Sequence, residues 1–300
     1  MRRLLFALAT VLFLQTALAE NPLVFQSDFG TRDSAVASMK GVAVGVSSTL
    51  PIFDLTHEIP PYSIWEASLR LVQAAKYWPA GTVFVSVVDP GVGTDRKSIV
   101  MRSKTGHYFV TPDNGTLTFI AEELGVDAVR EIDEAVNRLA NSEESYTFHG
   151  RDVYAYTGAR LASGVIAFDE VGRALPARVV SIPYQKPVYE NGTIKGNIPI
   201  LDIQYGNVWT NIDRDTFSKL DVATGDTVRV RIRHGERQAY EGTVPYHPTF
   251  GYVEVGEPLL YLNSLNNVSL AINQDNFAER HGIGSGAAWD VEIAKEDRRR

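Results

Sequence analysis

Three side chains with complementary chemistry stand on two turns that contain glycine. Asp89 and Arg96 are the two ends of the segment DPGVGTDR, and His149 lies within TFHGRD (147–152), just before a helical pattern. The separation of Asp89 and Arg96 is too long for one turn of helix and suits the two ends of a loop. A carboxylate, a fixed cation and a titratable imidazole are the groups needed to position and activate a water molecule. We therefore interpret these three residues as candidate catalytic residues.

Each candidate also has a purely structural interpretation. A buried carboxylate after a core strand needs a partner, so Asp89 and Arg96 taken alone favour an ion pair that stabilises a turn. His149 is consistent with a core histidine whose hydrogen bonds are satisfied. Asp28 directly follows the first apolar run, where ligands bind in open α/β sheets, but a helix-capping role is supported equally well. The residues by themselves leave these alternatives open.

Six segments give the chain a specific resemblance to a known family. They are, in chain order, SDFGTRDSAVASMKG (27–41), DLTHEIPP (54–61), GTVFVSVVDPGVGTDR (81–96), PDNG (112–115), TFHGRD (147–152) and GNVWTNI (206–212). Through them the chain resembles the S-adenosylmethionine (SAM) hydrolases, also called SAM hydroxide adenosyltransferases. These enzymes are relatives of the SAM-dependent fluorinase and chlorinase. The resemblance covers residues from about Leu23 to about Asn273.

The resemblance implies hydrolysis of SAM to adenosine and L-methionine, by substitution of water or hydroxide at C5′ of the ribose. It implies no metal and no cofactor, because SAM is the substrate. Asp89, Arg96 and His149 together form the combination of the hydroxide-using branch. The halogenase relatives have an aromatic residue at the position of Asp89 and no histidine at that of His149. A halogenase and a noncatalytic exported protein that binds an adenosyl ligand are the alternatives.

The resemblance also implies which residues contact the substrate. Asp28 would hold the ribose, and Tyr62 and Phe148 would line the pocket near it. Further along the chain, the implied contacts are Asp202 and Asn207 with the methionine amino-acid group, Tyr205 near the adenine and Ser264 with the carboxylate. Leu265 and Ile272 stand where the fluorinase-like relatives have arginines, which leaves the details of carboxylate and adenine recognition open. The resemblance further implies a homotrimer in which neighbouring subunits share each site.

The elements that must position these residues can be predicted from hydrophobic periodicity. Short apolar runs at 23–27, 51–55 and 82–88 alternate with helical patterns at 35–46 and 64–75. Strands that alternate with helices predict an α/β domain with a largely parallel sheet. We place this domain at residues 22–183.

The sequence changes character near Pro183. Short strand patterns then follow, separated by clusters of turn residues. They lie at 195–204, 227–233, 238–244, 253–255 and 259–263. This predicts a mainly antiparallel, barrel-like β domain over residues 187–295.

Composition and the first residues of the chain indicate the cellular location and the class of partner to expect. Residues 1–19 combine a basic start, an apolar core and Ala17-Leu18-Ala19, which predicts a cleaved secretory signal, a mature chain starting at Glu20 and a periplasmic or secreted protein. The chain has no cysteine, which excludes disulfides and thiol catalysis. With 36 acidic and 29 basic residues, we expect a small-molecule substrate and no nucleic-acid partner. We expect no membrane span after cleavage, because no later apolar segment is long enough.

Overall fold

The computed structural model describes residues 20–296, so the predicted signal segment lies outside the described residues. Within them, the first half of the chain forms one β-sheet flanked by helices, and the second half forms two antiparallel sheets. The predicted fold class is confirmed. Each half has its own main hydrophobic core, and no strand of one half pairs with a described strand of the other.

A seven-stranded sheet organises the first half, in the order β2-β1-β3-β5-β4-β6-β7. Its strands are β1 (Leu23–Ser27), β2 (Ile52–Thr56), β3 (Val83–Val87), β4 (Ser98–Ser103), β5 (Tyr108–Pro112), β6 (Val126–Glu131) and β7 (Ala174–Leu175). Strands β2, β1, β3 and β5 run parallel, and β4, β6 and β7 pair antiparallel. All residues of β1 and β3 are buried, as expected for parallel strands covered on both faces.

Helices cover both faces of this sheet. They are α1 (Ala35–Val46), α2 (Ile64–Ala75), α3 (Thr118–Glu123), α4 (Glu134–Asn137) and α5 (Tyr156–Ala162), with a π-helical turn over Gly150–Ala155 and a 3₁₀ turn over Phe168–Glu170. Helix α2 begins at an N-cap, because the Ser63 side chain accepts the backbone N–H of Glu66. Helices α1 and α5 cover one core, which contains Met39 and Ala159, and α2 and α3 cover the other, with Leu71 and Ile120.

Two sheets in the second half enclose a common core. The first has the order β10-β11-β15-β14 and the second β13-β12-β16-β9-β8. Their strands are β8 (Val188–Glu190), β9 (Thr193–Ile198), β10 (Ile200–Leu201), β11 (Val208–Asp213), β12 (Thr227–His234), β13 (Arg237–Pro245), β14 (Pro258–Leu262), β15 (Asn267–Ile272) and β16 (Gly286–Lys295). Helices α6 (Arg214–Ser218) and α7 (Phe277–His281) and a 3₁₀ turn over Phe250–Tyr252 complete this half.

Two strand predictions in this half need correction. The predicted strand at 253–255 is wrong: Val253 closes the 3₁₀ turn by donating its N–H to the carbonyl of Phe250, and Val255 is exposed. The apolar residues at this surface turn have the same sequence pattern as a short strand. The run predicted at 195–204 is split at Pro199, which has no N–H for a sheet hydrogen bond.

The two halves are joined through the segment around Pro199. Trp65 on α2 donates its indole N–H to the carbonyl of Pro199 at 2.8 Å, and Arg70 donates to the carbonyl of Leu201 at 3.0 Å. Ile200 is buried in the α2–α3 core of the first half. This segment therefore fixes the second half against α2. In the part of the chain that the structure describes, we find no helix with the length and apolar character needed to cross a membrane.

Candidate active site

Parallel pairing brings the ends of β1 and β3 to the same edge of the sheet. Ser27, the last residue of β1, is in register with Val87, the last residue of β3. Asp28 directly follows Ser27, and Asp89 follows Val87 after one intervening residue. The carboxyl ends of parallel strands are the usual ligand-binding edge of an α/β sheet. The register alone therefore places both carboxylates beside one site.

Asp89 and Arg96 form a close ion pair across their loop. The Arg96 Nε atom lies 3.0 Å from each Asp89 carboxylate oxygen, and Nη2 lies 2.5 Å from Oδ2. The side chains are 5% and 11% exposed, so the pair is shielded from water. The loop folds back tightly at Gly91, where an added Cβ would lie 3.3 Å from Thr94 Oγ1. Asn114 supports the loop by donating from its side-chain amide to the Val88 carbonyl at 2.9 Å.

Arg96 also contacts groups on the other side of its guanidinium. Its Nη1 donates to Ser98 Oγ at 3.1 Å, and Ser98 Oγ lies 3.1 Å from the Tyr154 hydroxyl. Its Nη2 lies 2.9 Å from His149 Nδ1. Burial by itself would lower the pKa of Arg96, but the hydrogen bonds to Asp89 outweigh it and raise the pKa. Arg96 is therefore a permanent cation that links Asp89 to His149.

His149 is buried and has a cationic partner on each ring nitrogen. It precedes the π-helical turn and is 4% exposed. Besides the Arg96 contact at Nδ1, its Nε2 lies 3.1 Å from Arg138 Nη2. Burial lowers the pKa of His149, with Arg96 and Arg138 acting in the same direction and Glu134 opposing them. The imidazole is therefore held in its neutral form at neutral pH.

Arg138 is a site residue that the sequence interpretation missed. It lies at the end of α4, where Nε and Nη2 donate to Glu134 Oε2 at 3.1 and 2.8 Å. The available signal was the spacing of Glu134 and Arg138, which is typical of ion pairs on one helix face. That spacing is common on solvated surfaces, so it does not by itself indicate a site. Ser98 and Tyr154 were also missed, because a serine and a tyrosine within strand and helix patterns carry no such signal.

A cavity of about 370 Å³ opens beside these residues. It is lined by Asp28, Phe29, Pro61, Tyr62, Val87, Asp89, Val92, Thr147, Phe148, His149 and Gly150. Arg96 is not part of this lining and lies behind Asp89. The Phe29 and Phe148 rings meet edge to face, with centroids 5.7 Å apart. The cavity therefore combines an aromatic wall with carboxylates and one imidazole.

Tyr62 has an unusual backbone conformation at the cavity rim. Its φ is +68°, a left-handed value that is costly for a bulky side chain, and its side chain is largely exposed. In this conformation its backbone N–H donates to Asp28 Oδ2 at 2.8 Å. The turn thus orients the Asp28 carboxylate while presenting the Tyr62 ring to the cavity.

His57 lies in a separate network beneath the same edge. Its Nδ1 is 2.7 Å from Ser27 Oγ and its Nε2 is 3.1 Å from Asp54 Oδ1, while Lys40 contacts Asp54 at 2.6 Å. The His57 carbonyl also accepts the N–H of Gly30 at 2.7 Å. Ser27 is completely buried, so this network supports the turn around Asp28 and does not face a ligand.

The remaining predicted residues line a second cavity, of about 700 Å³, in the other half. Asp202, Tyr205, Asn207 and Ser264 all belong to its lining, and Asn207 Nδ2 donates to Asp202 Oδ2 at 3.1 Å. Gly206 has a positive φ, and a Cβ there would collide with the Asn276 side chain. The structure thus brings these four predicted residues together along one cavity.

Two further residues line this second cavity, and a third lies outside it. Phe250 was missed and lines the cavity, with its ring centroid 5.0 Å from that of Tyr261. Ile272 lines the same cavity. Leu265 lies instead in a smaller cavity of about 280 Å³ between the two halves. Ile272 and Leu265, the two positions that differ from the fluorinase-like pattern, therefore line different cavities.

The predicted residues thus fall into two groups that line separate cavities. The first group contains Asp28, Tyr62, Asp89, Phe148 and His149, and the second contains Asp202, Tyr205, Asn207 and Ser264. Among residues 20–296, no group of three or more histidine, aspartate or glutamate side chains is arranged to hold a metal ion.

Comparison with known proteins gives consistent matches over both halves. Residues 23–172 match the SAM hydroxide adenosyltransferase N-terminal domain and residues 196–290 match the C-terminal domain of that family. The chain is 36% identical over 216 residues to a Methanocaldococcus jannaschii protein named (R)-S-adenosyl-L-methionine hydrolase, covering 71% of this chain and 73% of that protein. It is 30% identical over 297 residues to a protein named fluorinase from Actinoplanes sp., covering 90% and 97%. A crystal structure of an uncharacterized conserved protein from Thermotoga maritima superposes with a TM-score of 0.83 at 37% identity, covering 91% of this chain and 100% of that one.

Proposed function

The chain belongs to the SAM hydroxide adenosyltransferase family, and we propose that it hydrolyses S-adenosyl-L-methionine to adenosine and L-methionine. The observation that carries the proposal is the connection of Asp89, Arg96 and His149 by direct contacts of 2.5–3.0 Å beside a cavity that is also lined by Asp28. Water or hydroxide would attack C5′ of the ribose, and methionine would leave as a neutral thioether. No metal or cofactor enters this reaction.

The chemistry favours a site of this kind. Hydroxide and a sulfonium lose charge as they meet, so a site that excludes water stabilises the transition state relative to the separated ions. Bulk water, with a pKa of about 15.7, is a weak nucleophile and must be oriented and activated. Asp89 and His149 line the cavity and would hold the attacking oxygen. Arg96 lies behind them and would fix both side chains while supplying positive charge.

The lining of the cavity favours hydrolysis over halogenation. A halide ion has no hydrogen-bond donor to offer the Asp89 carboxylate, whose charge is already paired with Arg96. Water enters as a neutral molecule that can donate a hydrogen bond to the same carboxylate. The presence of relatives named fluorinase makes this distinction necessary.

We also propose that each complete site is shared between subunits of a homotrimer. The support is geometric: the two groups of ligand-type residues line separate cavities of one chain. One SAM molecule that contacts Asp28 and Asn207 together would bridge the two groups, and the family resemblance implies that the second group comes from the neighbouring subunit. Small-molecule sites are common at such boundaries.

The decisive experiment is product analysis after incubation with SAM in water enriched in ¹⁸O, with and without chloride or fluoride. Hydrolysis gives adenosine with the heavy isotope in its 5′-hydroxyl, plus methionine in equal amount. The Asp89→Asn variant is the matched control for nonenzymatic decay. A halogenated adenosine would establish a halogenase, and SAM binding without any product would establish a noncatalytic binder.

A further inference from the structure

The imidazole of His149 lies between two guanidinium groups. Arg96 Nη2 is 2.9 Å from Nδ1, and Arg138 Nη2 is 3.1 Å from Nε2. Arginine can only donate hydrogen bonds, whereas a neutral imidazole has one lone pair to accept with and one N–H. The two arginines therefore compete for a single acceptor, and a protonated imidazole would offer them none.

The charges around His149 reinforce this restriction. On the loop side, Arg96 is paired with Asp89, and on the α4 side, Arg138 is paired with Glu134. Tyr154 contributes only a neutral ring, because burial raises the pKa of its hydroxyl. An imidazolium at this position would be a third cation beside two carboxylates. Protonation of His149 is thus opposed from both sides of its ring.

Arg138 is held firmly in this position. Its side chain is 5% exposed, and its guanidinium lies 4.9 Å from the Tyr146 ring centroid in addition to its two bonds to Glu134. The next residue, Leu139, donates its backbone N–H to the carbonyl of Asp152 in the π-helical turn at 2.8 Å. The end of α4 and the turn that follows His149 are therefore tied together.

We propose that Arg138, anchored by Glu134, is a positioning residue that keeps the His149 imidazole neutral and fixes its orientation at the cavity. The lone pair of a neutral His149 can take a proton from water when water replaces one guanidinium contact. An imidazolium has no lone pair with which to do so. The consequence for turnover rests on the proposed function, whereas the effect on the imidazole does not.

The direct test is a nuclear magnetic resonance titration of the histidine side chains in the intact protein. The His149 signals are identified by their absence in His149→Gln. In Arg138→Gln the loss of one facing cation should raise the titration midpoint of His149 by about one pH unit or more. Arg138→Lys keeps the charge and should leave the midpoint near the parental value. An unchanged midpoint in Arg138→Gln, or an equal rise in Arg138→Lys, would overturn the proposal.

A kinetic measurement links the charge to turnover. In Arg138→Gln, kcat should fall roughly twofold to fivefold more at pH 6 than at pH 8, with KM for SAM little changed. Arg138→Lys should recover most of the loss at pH 6. Arg70→Gln is the matched control, because Arg70 forms the same kind of i,i+4 pair with Glu66 on α2 but does not face His149. It should keep the parental pH profile.

The titration and the kinetic measurement still test the role of Arg138 if one variant does not fold or if the protein does not hydrolyse SAM. If Arg138→Gln does not fold, the comparison of Arg138→Lys with the parent decides, since a midpoint raised by a full unit despite the retained charge contradicts the proposal. A purely structural role predicts equal losses at both pH values in both variants. If the protein does not hydrolyse SAM, the titration still tests the effect of Arg138 on His149, so failure of the proposed function is recognised separately.

Discussion

Arg96 binds Asp89 from behind, so that Asp89 faces the cavity and the guanidinium does not. The Arg96 Nε atom contacts both carboxylate oxygens at 3.0 Å, and both side chains are nearly buried. The cation thus acts on the site through the two residues it holds. This arrangement lets the cavity present a carboxylate and an imidazole to water while a permanent positive charge remains nearby.

Substitutions in this group should affect kcat more than substrate binding. We expect Asp89→Asn, Arg96→Ala and His149→Ala each to lower kcat by roughly 10²-fold or more, because general acid–base and positioning effects are lost. SAM should still bind, as measured by calorimetry. Parental kcat in all three variants would contradict the assignment.

The lowered pKa of His149 predicts a specific pH dependence. Burial and the two arginines hold the pKa below the ordinary value of 6.5, so neutral His149 should persist at pH 6.5 and kcat should decline only at lower pH. In that window the unfolded state binds more protons, so the stability of the fold should also decrease as the pH falls below 6.5. A kcat profile that is half-maximal at or above pH 6.5, and that changes in His149→Gln, would refute the assignment.

Mixing of two inactive variants tests the shared site. Asp89→Asn and Asn207→Ala alter different cavities, so coexpressed subunits should form some interfaces with neither change. For random assembly into rings, about one quarter of the sites should be intact. Coexpression of the double variant with itself is the control. A fully active monomer by light scattering, with no rescue, would rule out the shared site.

Gly158 provides a stability test of the packing between α5 and the sheet. A Cβ at this position would collide with Val85 Cγ2, so Gly158→Ala should cost about 1–3 kcal/mol of unfolding free energy in urea titrations. Gly45→Ala in α1 is the matched control, because its Cβ would meet no atom within 4 Å. That change should be neutral or stabilise the protein by up to about 1 kcal/mol. Equal behaviour of the two variants would contradict this packing.

Export can be tested at the N-terminus. Ala17 and Ala19 supply the small residues of a signal cleavage site, so the mature protein should begin at Glu20 and be found in the periplasm or medium. Mass spectrometry of protein from the native host provides the measurement. An intact Met1 or Arg2 start would show that the segment is retained.

Local patterns in the sequence determined much of the fold. The apolar runs of β1 and β3 and the periodicity of α1 and α2 predicted these elements closely. A strand buried on both faces needs apolar residues throughout, and a helix buried on one face needs them at helical spacing. Strands β6, β7, β8, β11, β15 and β16 were not predicted. In β16, buried Trp289, Val291 and Ile293 alternate with polar Asp290 and Glu292, which is a strand signal that the prediction overlooked.

Motifs in the sequence indicated the candidate residues, but only the tertiary structure decided their arrangement. Parallel register brings Asp28 and Asp89 to one edge, whereas Asp202 and Asn207 line a different cavity. Arg138 reaches His149 because the end of α4 is tied to the π-helical turn. Motifs record residue types and spacing along the chain, while hydrogen bonds and charges depend on distances in space. Those distances are set by packing between elements that the sequence does not place side by side.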